Sequence, residues 1–267
     1  MNILKVSAMF VFIAIVPLLM GASNEREAKP VNAAEKASGE KKTTDLQVTA
    51  LSKDAKKPDK LLYKPPLRGA PAGRVGGGTR GTTERESFSL QVLVPDHAGL
   101  TVSDQPALYW FISKPTTHSV ELTVIERNAV KPLIEKVVKG PENGGIQVVR
   151  LADFGVHLRR NVQYKWYVTL VTDADQRSKD ILAGGIITLV DPSATLTAKL
   201  KSTDSGMVPY IYAEEGFWYD AFEALSGMIN AAPDNAGLHL QRASLLEQVG
   251  LAEAAEFDNK QARQQSQ

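Results

Sequence analysis

Between Ser87 and Val190 apolar residues recur at every second position in short runs, and beyond Ala213 the repeat lengthens to that of a helix. This change of period constrains the fold most, because period two buries one face of a strand and a period near 3.6 buries one stripe of a helix. In "SFSLQVLV", Phe88, Leu90, Val92 and Val94 share a face, Ser87, Ser89, Gln91 and Leu93 share the other, and Pro95-Asp96 ends the run. Runs at Ala107–Ile112, Ser119–Glu126, Gly145–Leu151, Val162–Val171 and Gly184–Val190 follow, parted by turn signals such as "SDQP" and "GPENGG". No helix-period segment interrupts them, which argues against a parallel sheet of βαβ units and for an all-β sandwich. In "LRRNVQYKWYV", Leu158 stands six residues before Tyr164. That is the spacing of the corner in fibronectin-type and immunoglobulin-like domains, where the tyrosine hydroxyl bonds back to the chain. The expectation is a mainly β protein with an immunoglobulin/fibronectin-like sandwich over residues 65–196; an up-and-down barrel is the alternative.

Residues 191–212 read as a connector. The stretch "AEEGFWYDAFEALSGMINA" then places Phe217, Ala221, Leu225 and Met228 on one stripe, with Trp218 beside it. "PDN" (233–235) supplies a stop and a new cap, "AGLHLQRASLLEQVG" a second helix closed by Gly250, and "LAEAAEFDNKQARQQ" a weaker third. Residues 206–267 are therefore expected to form a two- to three-helix extension similar to a degenerate tetratricopeptide repeat. Only about one and a half repeats are present, too few for an independent solenoid, so the hairpin must pack on the β-domain or on a partner.

The N-terminal end carries a different message. "MNILK", an apolar run from Val6 to Met20, and small residues at Gly21 and Ser23 form a secretory signal peptide over residues 1–23. If that segment is not removed, it acts as a membrane anchor instead. No cysteine follows it for lipid attachment, and the chain has none anywhere, which removes thiolate metal sites, disulfides and cysteine nucleophiles. Residues 24–64 are rich in Lys, Ala, Glu and Asp and lack aromatics until Tyr63, so they read as a disordered basic linker. The formal net charge of +1 gives no signature of a nucleic-acid partner. It does conceal a basic arm ahead of an acidic body.

The segment "LRGAPAGRVGGGTRG" (67–81) contains a literal G-x-G-x-x-G at Gly76, Gly78 and Gly81. A dinucleotide loop needs a strand before the glycines and a helix after them, to bring the helix N-terminus to the pyrophosphate. Here Pro65, Pro66 and Pro71 precede the glycines and a strand pattern follows, so no nucleotide is expected. Two readings remain for this segment: a flexible lead-in to the first strand, or an anion-binding loop with Arg68, Arg74 and Arg80 as donors.

The stretches "PPLRGAPAGRVGGGTRG", "LTVSDQPALYWFI", "YKWYVTLVTDADQRSKDILAGGI" and "YAEEGFWYDAFEAL" together resemble a bacterial family catalogued as domain of unknown function family 928. The resemblance spans about residues 65–250. It implies an exported protein of the bacterial envelope, seen in proteobacteria and cyanobacteria, and it brings no established activity, cofactor or catalytic residue. It also implies a cysteine near Thr172 in relatives, which this chain lacks.

No nucleophile elbow, zinc-protease helix or EF-hand loop occurs. "DADQRSKD" (173–180) lacks the glycine and the ligand spacing of a calcium loop and reads as a polar hairpin loop, in which Arg177 and Asp180 can pair. The histidines, His97, His118, His157 and His239, have no metal-like spacing and read as surface or structural residues. In "GFWYD", Phe217, Trp218 and Tyr219 are consecutive and cannot all face one core, so at least one ring must meet the β-domain, a partner or solvent; they are the candidate partner contact. No cofactor and no metal are expected. The leading expectation is a non-enzymatic periplasmic or envelope protein acting in protein–protein interaction or assembly, its partner an unidentified envelope protein. The alternatives are a binding module for an anionic envelope ligand, a glycan or lipid headgroup, and an enzyme of unrecognised type.

Overall fold

The computed structural model describes residues 60–66, 73–76, 79–80 and 88–265. The signal peptide, the greater part of the linker and Arg68 lie outside the described residues. Strands β1 (Val75–Gly76), β2 (Thr79–Arg80), β3 (Phe88–Val92), β4 (Gly99–Thr101) and β5 (Ala107–Ile112) come first. They are followed by β6 (Ser119–Glu126), β7 (Ile134–Val138), β8 (Gly145–Arg150), β9 (Gln163–Val171) and β10 (Ile181–Leu189). The helices are α1 (Ala194–Lys201), α2 (Val208–Glu214), α3 (Trp218–Ala231), α4 (Ala236–Gln248) and α5 (Ala252–Gln264). The chain is thus mainly β with a helical C-terminal part.

The strands form two sheets, one ordered β1-β10-β9-β6-β7 and the other β2-β3-β5-β8. All pairings between neighbours in these orders are antiparallel, while β4 runs parallel beside β10. Buried residues of both sheets share one apolar cluster, which includes Leu90 and Val92 of β3, Trp110 of β5, Val124 of β6 and Trp166 of β9. Trp166 is opposite Gly185 on β10. A Cβ on that glycine would stand 3.1 Å from the indole nitrogen and 2.8 Å from Val94, so the missing side chain makes room for the largest ring of the core. Tyr164 is buried, and its hydroxyl accepts a hydrogen bond from the Arg159 amide at 3.1 Å, beside buried Leu158.

Sequence periodicity finds the long strands and misses β7 and the short β1, β2 and β4. β4 has three residues, too few to display a period. β7 reads "IEKVV", and only Ile134 of it is buried, so no alternation is imposed on the sequence. The supposed connector over 191–212 holds α1 and α2. Ser193 caps α1 by accepting from the Leu196 amide at 3.0 Å, and α2 carries proline in its first turn. Asn235 caps α4 in the same way, and Gly250, with φ at 72°, turns the chain from α4 into α5.

The helices cover the outer face of the β3-β5-β8 sheet. For that reason all six residues of β5 are buried: alternate residues face the opposing sheet, and Tyr109 and Phe111 meet Phe222 of α3 and Phe257 of α5 at ring distances of 5.0 and 6.0 Å. A strand buried on both faces reads as a continuous apolar run, which is what "ALYWFI" is.

Candidate functional site

The residues singled out from sequence are accounted for first. Residues 61–66 form an extended strap held by α2 and α4. The Lys64 amide donates to the Ala213 carbonyl at 3.0 Å; the Tyr63 amide donates to Gln248 Oε1 at 2.8 Å, and Gln248 Nε2 donates to the Leu61 carbonyl at 2.9 Å. Leu61 is 0% exposed and Tyr63 is buried against Trp218, so the expected linker boundary at residue 64 falls too late. Lys-rich composition concealed two anchoring apolar residues. The Tyr63 hydroxyl sits 3.0 Å from His97 Nε2, and burial raises its pKa.

Arg74 is half-buried. Its Nη1 donates to the carbonyls of Val94 at 3.2 Å and Val249 at 3.1 Å, the latter the residue that closes α4. A guanidinium there joins the β-domain to the negative end of a helix. Burial lowers its pKa, and nearby Asp96 works in the opposite direction. Arg80 lies in β2, which pairs with β3. Of the three arginines proposed as anion donors, the one whose side chain is described is engaged with carbonyl groups of its own chain. Gly76, from the nucleotide-like pattern, lies in β1 with φ at 71°, and the described elements that follow are strands.

The rings of Phe217, Trp218 and Tyr219 are all buried within the chain. They cannot be a free partner contact, because the helix they begin is driven into the β-domain. Trp218 Nε1 donates to the Leu93 carbonyl at 2.8 Å and its ring stacks on Phe222. The Tyr219 hydroxyl accepts from Trp166 Nε1 at 2.9 Å and donates to the Ile186 carbonyl at 3.1 Å. Asp220 follows in the first turn of α3 and accepts from the Val102 amide at 3.2 Å and the Thr101 hydroxyl at 3.3 Å. Burial pushes the Asp220 pKa up to about 7 despite those donors, with Glu223 adding to the rise. Glu223 itself accepts from the Ala107 amide at 3.3 Å. Sequence reasoning recognised the rings but not that two carboxylates of the same helix grip the β4–β5 connection.

The other polar candidates are local. Arg177 pairs with Asp180 at 2.8 Å, and also reaches Glu121 on β6 at 2.5 Å. His118 stands edge-on to Phe88, and His157 pairs with Asp104 at 2.7 Å on the surface. Among the described residues no group of three or more His, Asp or Glu is placed to hold a metal ion, and no helix is long and apolar enough to cross a membrane.

Among the described residues, no helix covers the outer face of β10-β9-β6-β7. The pairing register lays out its rows. Val137, Glu121, Thr169 and Leu182 form one row; Glu135, Thr123, Tyr167, Gly184 and Val75 the next; Ile125, Lys165 and Ile186 the third. Of the nine large apolar residues exposed among those described, six belong to this sheet or to the turn entering β7: Val75, Val130, Leu133, Val137, Val138 and Leu182. Val130 is 95% and Val137 65% exposed. Of the charged residues in these rows, Glu121 is paired with Arg177, whose guanidinium holds its carboxyl below the usual range, while Glu135 and Lys165 stand in the neighbouring rows. A flat surface of valines, threonines and a central tyrosine, with its charge neutralised at one edge, is chemically suited to contact with another protein.

A β-rich body whose helices are part of its core, with one sheet face left open, is the class of protein that these features define. The chain belongs to the family described as Domain of Unknown Function (DUF928), whose model matches residues 75–258, more than half of it. None of the curated proteins matches. Among solved structures, a multi-domain immunophilin from Arabidopsis thaliana is similar at 7% identity with a TM-score of 0.21, over 73% of this chain and 100% of that one.

Proposed function

We propose that this is a non-enzymatic exported protein of the bacterial envelope that works by protein–protein contact, and that the open face of the β10-β9-β6-β7 sheet is the contact surface. The observation that carries the reading is the exposure of Val75, Val137 and Leu182 on this face around Tyr167, with Val130 and Leu133 in the turn that enters β7. Export rests on the sequence of residues 1–23: a basic start, an apolar run and a small-residue exit.

The β-domain is best read as an immunoglobulin-like sandwich. The strand orders β3-β5-β8 and β7-β6-β9-β10, the parallel β4 beside β10, and the Tyr164–Arg159 bond at the corner support that reading. The helical part is read as a degenerate tetratricopeptide-like unit whose apolar surface is spent on the β-domain, supported by the turns at Gly216 and Gly250. The alternative of an anionic ligand held by Arg68, Arg74 and Arg80 loses support at Arg74, whose guanidinium already serves two carbonyls.

Replacing Tyr167 and Val137 by arginine tests the contact surface. The expected result is an unchanged melting temperature, because both side chains point away from the core, together with loss of a complex recovered by gentle extraction from the envelope. A complex that survives both substitutions sinks this reading.

A further inference from the structure

β7 is the outermost strand of its sheet. The far edge of that sheet is closed, because β1 and β4 both lie beside β10, but among the described residues nothing pairs with the free side of β7. A strand left in this way offers a row of unused N–H and C=O groups to any chain that lies alongside. The direction of those groups follows from the ladder. The Arg127 amide donates to the Gln163 carbonyl at 2.9 Å, in step with the β6–β9 register, so the odd-numbered residues of β6 bond to β9 and the even-numbered ones to β7. Their partners Ile134, Lys136 and Val138 therefore bond inward, and Glu135 and Val137 turn their backbone groups outward. Val130, Leu133, Val137 and Val138, all exposed, lie in this strand or in the turn that enters it.

What fits alongside is a second copy of the same strand, antiparallel, about a two-fold axis normal to the sheet. Such an axis keeps each side chain on its own face, so it passes through a residue, and few positions are open to it. On Glu135 it sets that carboxylate against its own copy, and on Lys136 it sets two ammonium groups together; like charges directly opposite destabilise a strand pair. On Val138 it puts Glu135 opposite the partner's Pro141, which has no N–H to give. On Val137 it joins the two valines as a pair bonded through their outward groups, and each Glu135 comes opposite the partner's Lys139. Glu135 has no ion pair of its own among the described residues. Lys139 reaches Glu142 at 2.7 Å, but with the two side chains 74% and 78% exposed that pair is weak, and the lysine is free to serve a second acid. On the other face, Lys136 comes opposite the partner's Val138, where its stem covers the valine and its ammonium group stays in water.

We propose that two copies of this chain join through their β7 strands, centred on Val137, into one continuous sheet ordered β10-β9-β6-β7-β7-β6-β9-β10. The seam takes Val137 and Val138 out of water, exchanges a charge pair at each end, and leaves the open face running unbroken across both copies. This goes beyond the partner reading above, because it uses the edge of the strand and not the face around Tyr167.

The chain has no cysteine, so a single one reports the register. The test oxidises a detergent extract of cells producing full-length Val137→Cys with copper phenanthroline and reads a non-reducing gel. The expected result is an adduct of twice the chain mass, because a bonded antiparallel pair sets its Cα atoms about 5.5 Å apart, within disulfide reach. Glu135→Cys should cross-link at least about tenfold more slowly, since its own copy lies four positions along the ladder, about 14 Å away. Both side chains are exposed, so neither change should move the melting temperature. Charge exchange gives the second measurement. In the Val137→Cys chain, Glu135→Lys or Lys139→Glu alone should slow adduct formation about fivefold, and the two together should restore it to within about twofold. Tyr167→Arg should leave the rate unchanged, so failure of this proposal is told apart from failure of the face as a partner contact. No adduct from Val137→Cys, an adduct to a different protein, equal rates from positions 135 and 137, or a double exchange that does not restore the rate overturns the proposal.

Discussion

Asp220 shows how one buried carboxyl joins two parts of the chain at a cost that depends on pH. Its pKa lies near 7 in the folded protein, against about 4 in an unfolded chain, so the folded state holds its proton more tightly. A carboxyl shifted in this direction favours folding fully at low pH, and that contribution is lost as pH rises from about 4 to about 7. The loss is at most about 4 kcal/mol. Asp220→Asn keeps an acceptor for the Val102 amide and the Thr101 hydroxyl without the titration. Denaturant unfolding at several pH values should therefore show Asp220→Asn gaining on the wild type as pH rises to 7, with the gap constant above it. A gap independent of pH would show that Asp220 is ionised when folded. Arg74 makes a second prediction at this scale. Arg74→Ala removes charge-assisted bonds to two carbonyls and should cost about 1.5–3 kcal/mol of stability. Binding of inorganic phosphate, measured by calorimetry, should not differ between the variant and the wild type.

The strap is the element with the most unexpected placement. Leu61→Ala should destabilise by about 2–5 kcal/mol, as for any buried leucine, whereas Leu62→Ala should change stability by no more than about 0.5 kcal/mol, because Leu62 is 54% exposed. Thermal unfolding of the two variants separates a docked strap from a passive tether. Why sequence reading missed it is physical: two apolar anchors between lysines carry no period, and their burial depends on helices more than 140 residues away. The same reason explains β7, where a strand exposed on nearly every residue has no alternation to display. Where one face of an element is buried by its immediate neighbours, as in β6 and β9, the sequence alternates and the strands were legible to within a residue. Tyr164 and the caps at Asn235 and Gly250 were legible too, because each is fixed by local geometry. The rings of "GFWYD" were recognised as unusual, but the direction they face is decided by the β-domain, through Leu93, Trp166 and Ile186, and is written nowhere near them.

At the scale of the whole molecule, the helices and the β-domain share one apolar core, so they should unfold in a single transition followed equally by tryptophan fluorescence and by helical circular dichroism. Trp218→Ala, which removes the ring that links strap, α3 and the Leu93 carbonyl, should lower that transition for both signals by about 3–5 kcal/mol. The contact proposed for a partner is the open sheet face around Tyr167, away from the face that the helices close. The direct measurement is site-specific photo-crosslinking in intact cells, with the reactive side chain placed at position 167 and, as a control, at Leu240 on the exposed side of α4. A discrete adduct from position 167 and none from position 240 is the predicted result. Adducts from position 240 alone would contradict the account, since they would place the partner on the helices.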